Sequence, residues 1–281
     1  METKKAIKWV VFWISLSLLF NVGIYFTMGA EKALEYFGGY IIEESLSLDN
    51  LFLFLIIFQS FNVPPAYQRR VLNYGIAGAI ILRLIFVVLG VSIVNQFSWI
   101  LYVFGFILIF SGIKMLSDKE GEKKDYSNSF LIRLLSKFIP ITKNLEGEKF
   151  FVRKNNILHA TPLFAILFLI EGSDVIFAID SIPAIFSITT DPFIVYTSNI
   201  FAILGLRSLY FVLVNVSENF KYVKHGVALI LTFTGIKLSA LMFGIHIPIV
   251  VSLMVIFSLL VGSILLSYIV GKKDKSEKKA S

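Results

Sequence analysis

Carboxylates stand inside two of the most apolar stretches of this 281-residue chain, in nearly matching arrangements. The first stretch reads Glu43-Glu44-Ser45-Leu46-Ser47-Leu48-Asp49-Asn50; the second runs from Glu171-Gly172-Ser173-Asp174 to Asp180-Ser181. An isolated charge at the centre of a bilayer costs about 2.5 to 3.5 kcal/mol even on a lenient insertion scale, so such residues persist when paired, hydrated or bound to an ion. Superposing the stretches on Asp49 and Asp180 pairs Glu43 with Asp174, each six residues before the second acid, and leaves Glu44 outside the symmetry. Asn50 and Ser181 follow the second acids and offer neutral oxygens. Carboxylate and neutral oxygens are the ligands of hard cations, which makes Glu43, Asp49, Asn50, Asp174, Asp180 and Ser181 candidate metal ligands for Mn2+, Ca2+ or Mg2+. His159, His225 and His246 are scattered and cysteine is absent, so a zinc, copper or iron centre built on imidazole or thiolate is not expected.

The elements that carry these acids must bend to bring them together. On a straight helix, residues six apart point about 120° away from each other. Pro183 would leave the carbonyl of Ile179 unbonded and Gly172 would weaken the helix before it, which predicts a discontinuity in the second stretch. The first has Gly38 and Gly39 upstream but no proline.

With 57% apolar residues, 28 phenylalanines and a mean hydropathy of +0.80, the chain is expected to be an all-α polytopic membrane protein. Windows of about 20 apolar residues mark eight spans, at roughly 9–29, 36–61, 71–94, 98–116, 161–187, 193–215, 225–243 and 247–270. The first is longer than a signal-peptide core and reads as a retained helix. Counted by segment, 21 Lys and Arg fall in the two tails and three loops of one side, and Lys32 alone in the loops of the other. This asymmetry explains the net charge of +7 without nucleic acid and puts both termini in the cytoplasm; the expected location is the cell membrane of a prokaryote. Between spans four and five, residues 130–138 have an apolar face and basic residues, as an interfacial helix would; a solvated connector fits equally. The tail from Lys272 to Lys279 reads as disordered and attracted to anionic lipid.

The remaining basic residues lie within spans and complete a repeat. Asp49 is followed by Arg83 and Lys114 at intervals of 34 and 31 residues; Asp180 is followed by Arg207 and Lys237 at 27 and 30. Each copy holds three spans, so the second enters the membrane inverted, an architecture of secondary transporters with sites near the midplane. The expected organisation is an N-terminal helix (1–29), a first inverted repeat (30–116), a cytoplasmic loop (117–160), a second repeat (161–244), a last helix (245–270) and a basic tail (271–281). Arg83 and Arg207 read as charge-compensating partners of the acids. Lys114 and Lys237 lie near span ends, where a long side chain reaches the interface.

The chain resembles the TerC family of membrane proteins, closest to its alkali-induced Alx type. The resemblance covers roughly residues 30–245 and rests on Glu43 to Asn50, Asn73-Tyr74-Gly75-Ile76-Ala77-Gly78 through Arg83, Phe150 to Arg153, Ala160-Thr161-Pro162-Leu163, and the run from Glu171 to Phe211. It implies kinship with the LysE superfamily of exporters, some members of which are implicated in exporting manganese. It also adds Glu171 to the acids Glu43, Asp49, Asp174 and Asp180.

The expectation is a secondary transporter that exports a divalent cation, Mn2+ before Ca2+, by exchange for protons, with the lipid bilayer as surroundings and no cofactor. A second reading is a membrane scaffold whose internal charges only hold helices together. No nucleophile elbow, histidine cluster or P-loop is present, so an enzyme is not expected. The oligomeric state is not legible.

Overall fold

A computed structural model describes residues 3–117, 129–154, 156–216 and 222–280; the side chains of Thr3, Asp49, Phe52, Asn215, Val216, Tyr268 and residues 271–280 lie outside the description. The chain is helical nearly throughout: α1 (Thr3–Met28), α2 (Ala30–Ser60), α3 (Pro65–Gln96), α4 (Ile100–Ser117), α5 (Phe130–Phe138), α6 (Pro162–Phe186), α7 (Pro192–Val216), α8 (Val223–Ala240) and α9 (Ile249–Ala280). A two-stranded antiparallel hairpin, β1 (Phe151–Lys154) and β2 (Ile157–Ala160), precedes α6 and pairs Phe151 with Ala160. Among the described residues, seven helices are long and apolar enough to cross a membrane. The eighth expected span corresponds to α2, which is 31 residues long but carries Glu43, Glu44 and Asp49 in its interior.

Local chemistry sets the boundaries. Gly29, at φ +95°, is the single residue between α1 and α2, a backbone conformation that costs glycine little. Pro65, Pro162 and Pro192 open α3, α6 and α7 at the position where a missing N–H is harmless. Asp191 caps α7 through Oδ1, which accepts from the N–H groups of Phe193 (3.0 Å) and Ile194 (3.3 Å).

The expected discontinuities are absent. α6 runs unbroken through Gly172 with Pro183 in its last turn, where few helical bonds remain to lose, and α2 runs unbroken through Gly38 and Gly39. The segment 130–138 is indeed a helix, α5, capped by Ser129. A Cβ at Gly172 would come within 2.6 Å of Leu131 Cδ1, so this glycine admits α5 to the surface of α6 instead of breaking it. The tail expected to be disordered continues α9, since Lys, Glu and Ala extend a helix already begun.

The chain divides into two compact units, and α2, α3 and α6 each contribute to both. The larger comprises Met1–Asp49, Arg83–Asp118 and Ala178–Ser281; the smaller comprises Asn50–Leu82 and Lys119–Phe177. In the larger, α4 packs on α8, α1 on α7, and α8 on α9. Gly105 meets Gly235 and Ser239, while Gly112 meets Ala228 and Thr232, so α4 and α8 cross antiparallel with backbones in contact. Lys237 stands in the last turn of α8, as expected, but its side chain does not reach out to the interface: it is 8% exposed, because α4 and α9 cover its helix. At the start of α2, Lys32 bridges Glu35 (2.8 Å) and Asp191 (3.2 Å), and Thr189 Oγ1 donates to Glu35 Oε2 at 2.6 Å.

Candidate functional site

Two groups of acids emerge, one in each unit. In the larger unit Glu43 is buried on α2, and Arg83 of α3 donates to its Oε1 through Nη2 at 2.6 Å. The other arm of Arg83, Nη1, donates to Ser181 Oγ on α6, and Ser47 Oγ lies 3.5 Å from the same Glu43 oxygen. Both members of the pair are buried, with side chains 1% and 7% exposed. A charge pair this dry persists because each partner neutralises the other and additional hydrogen bonds complete the guanidinium. Arg83 is thus the counter-ion of Glu43, and Ser181 is bonded to Arg83.

The adjacent acid, Glu44, turns the other way. Its Oε1 accepts a long bond from Tyr40 at 3.4 Å, and a Cβ at Gly205 of α7 would stand 3.6 Å from it. The two adjacent acids thus face different helices: Glu43 meets Arg83 of α3, which also holds Ser181 of α6, and Glu44 looks toward α7. Asp180, partly buried on α6, accepts from Ser111 Oγ of α4 at 2.8 Å and lies within electrostatic reach of Lys114. Arg207 is partly buried on α7. The side chain of Asp49 lies outside the described residues.

In the smaller unit Glu171 and Asp174 stand one turn apart on α6 and share a face. Glu171 is partly buried, and its Oε2 is buried with no hydrogen-bond partner. Asp174 lies within electrostatic reach of it, whereas no cation pairs with Glu171 among the described residues. One glycine of α3 makes room for this carboxyl: a Cβ on Gly78 would collide with it, whereas one on Gly75 would stand in ordinary contact, 3.8 Å from Oε1. Asn50 of α2 is buried at 5% exposure.

Ser111, Gly75 and Gly78 were not among the site residues singled out from the sequence. The signal for Ser111 was present in the repeat, because Ser111-Gly112-Ile113-Lys114 and Thr234-Gly235-Ile236-Lys237 place a hydroxyl three residues before each lysine. Gly75 and Gly78 gave no such signal, since their role depends on which helix faces them. Among the described residues, no three His, Asp or Glu converge closely enough to hold a metal on their own. A cation at Glu171 and Asp174 would take two carboxylates and complete its shell with neutral oxygens, a pattern usual for hard cations that keep their water.

The model of the integral membrane protein TerC family matches residues 28–275. The chain is 50% identical over 268 residues to a protein of Salmonella typhi named membrane-bound redox modulator Alx, covering 92% of this chain and 83% of that one. It is 49% identical over 269 residues to the Escherichia coli (strain K12) protein of the same name, with coverage of 93% and 83%. An uncharacterized membrane protein of Rickettsia bellii is 47% identical over 269 residues, covering 96% and 88%. No solved structure matches the chain. With the family match spanning most of its length, this polytopic α-helical chain belongs to the integral membrane protein TerC family.

Proposed function

We propose that this chain is a secondary transporter that moves a divalent cation out of the cytoplasm in exchange for protons, with Mn2+ as its ion and kinship to the LysE superfamily of exporters. The observation that supports this reading most directly is Glu171. Its carboxyl has a buried, unpartnered oxygen and no counter-ion among the described residues, and a second carboxyl, Asp174, lies one turn away. Acids so placed repel each other unless a cation or protons join them. Oxygen donors without Cys or His favour Mn2+, Mg2+ or Ca2+ over zinc or copper. No resident cofactor and no enzymatic step is needed.

Expelling a dication against an interior-negative potential costs about 4.6 kcal/mol per 100 mV, twice the roughly 2.3 for one charge. No nucleotide motif supplies that energy, which leaves an ion gradient, and carboxyls can carry protons back. Both termini are placed in the cytoplasm, following the basic residues of the loops. The relatives' name points to redox physiology; with no cysteine, this chain would influence redox balance by moving a redox-active cation and not by thiol exchange.

The scaffold reading draws on the Glu43–Arg83 pair, which is satisfied without any ion. It gives no role to an unpaired Glu171. Purified protein in proteoliposomes, with a trapped fluorophore and an imposed pH gradient, tests the two. Transport of Mn2+ that falls about tenfold or more in Glu171→Gln and Asp174→Asn supports the transporter. Absence of flux for Mn2+, Mg2+ and Ca2+ in the intact protein favours the scaffold.

A further inference from the structure

α3 is 32 residues long, about 48 Å at 1.5 Å per residue, and exceeds the roughly 30 Å hydrocarbon core. Its first turns carry Arg69 and Arg70 just ahead of the apolar stretch expected to begin at residue 71, the place of residues at headgroup level. There Ala66, Arg69, Arg70, Asn73 and Tyr74 form one face, spaced at three and four residues, and with Glu148 they line a cavity of about 300 Å³ that is wide open to the surface. Arg70 is held within it. Its guanidinium lies 5.3 Å from the ring centre of Phe150 and 5.9 Å from that of Tyr74, the two rings being perpendicular at 5.1 Å. Nη1 reaches Glu148 Oε2 at 3.3 Å, a loose pair with side chains 39% and 51% exposed, and Nε is buried without a partner. A guanidinium fixed by two aromatic faces, with donors unspent and a second arginine beside it, is arranged to bind a phosphate oxygen fork.

The same helix face says which phosphate. Beyond Arg70 it continues through Tyr74 (52% exposed), Ala77 and Ile81 (61% exposed), an apolar track leading from the cavity into the span. A soluble phosphate has no use for that track, whereas an acyl chain does. Basic pockets at the ends of membrane helices take anionic headgroups in this way. We propose that the cavity of Arg69, Arg70, Asn73 and Tyr74 is a headgroup site for an anionic phospholipid, with Glu148 as the resident carboxylate that the lipid phosphate displaces.

This site is separate from Glu171 and stands whether or not the chain moves cations. The test is native mass spectrometry of the full-length protein in neutral detergent, titrated with dioleoyl phosphatidylglycerol, dioleoyl phosphatidylcholine or millimolar inorganic phosphate. Phosphatidylglycerol should be retained about tenfold more tightly than phosphatidylcholine, and Arg69→Gln with Arg70→Gln should erase that preference. Glu148→Gln should tighten phosphatidylglycerol binding about threefold, an outcome that survives any misfolding of the arginine variant. Lys154→Gln removes an exposed cation of the hairpin outside the cavity and should change nothing. Equal retention of both lipids, an equal loss in Lys154→Gln, or no gain in Glu148→Gln overturns the proposal; displacement of phosphatidylglycerol by inorganic phosphate reassigns the cavity to a soluble anion and overturns the lipid.

Discussion

Glu43 and Glu171 are each an acid embedded in apolar sequence, yet neutralising them should have opposite effects on stability. Glu43→Gln leaves the Arg83 guanidinium buried without its counter-ion, and breaking one side of such a pair costs about 3–5 kcal/mol. Glu171→Gln strands no cation and relieves repulsion from Asp174, so the fold should keep its stability or gain slightly. Thermal unfolding in detergent separates them: a fall in Tm for Glu43→Gln, recovered when Arg83→Met is added, and none for Glu171→Gln. Equal losses in both would mean that Glu171 is paired, and would remove the main support for a cation site. The acids were legible in the sequence because charge in an apolar run is conspicuous. Arg83 was legible as a counter-ion for the same reason, but not which acid it meets nor that Ser181, 98 residues further on, takes its other arm, since that contact forms only when α3 and α6 pack.

At the scale of elements, helix positions were readable from hydropathy, but the expected breaks at Gly172 and Pro183 were not realised. A glycine weakens a helix in isolation; here Leu131 of α5 fills the space it leaves, a packing outcome that propensity does not encode. The antiparallel crossing of α4 and α8 shows the same logic more strictly. A Cβ on Gly235 would stand 2.7 Å from the carbonyl oxygen of Gly105 and 2.7 Å from the amide nitrogen of Ile109, both backbone atoms that cannot rotate away. Gly235→Ala should therefore destabilise by about 1–3 kcal/mol through overpacking, read as a lower Tm, and an unchanged Tm would show that the crossing has slack. The start of α2 offers a pH test. Burial alone would lower the pKa of Lys32, but the hydrogen bonds and charges of Glu35 and Asp191 outweigh it and raise the value. A raised lysine contributes stability that is complete below its unfolded pKa and lost as pH climbs through the folded one. The small Tm advantage of the wild type over Lys32→Met should hold from neutral pH to the ordinary lysine range and shrink only above it.

For the whole molecule, composition and loop charge were enough to read a polytopic membrane protein, whereas the division into two units is hidden in the sequence because three of its four boundaries fall inside α2, α3 and α6. Glu171 and Asp174 lie together in the smaller unit, and if the proposed exchange is correct their charge sets its stoichiometry. Two carboxylates carry a charge of −2, which one dication neutralises and two protons neutralise equally. A site that is neutral in both loaded states moves no net charge, so two protons should enter for each cation that leaves. Exchange of this kind is indifferent to the membrane potential and answers only to the concentration gradients. One pH unit is worth about a factor of ten per proton, so a one-unit gradient should support about a 100-fold steady-state ratio of Mn2+ across the membrane. Proteoliposomes clamped with potassium and valinomycin at different potentials measure both quantities at once. A ratio near 100 that stays constant with potential supports the carboxylate pair as the exchanging unit. A ratio that shifts with potential means that a third proton, or an uncompensated charge elsewhere in the spans, travels with the cation.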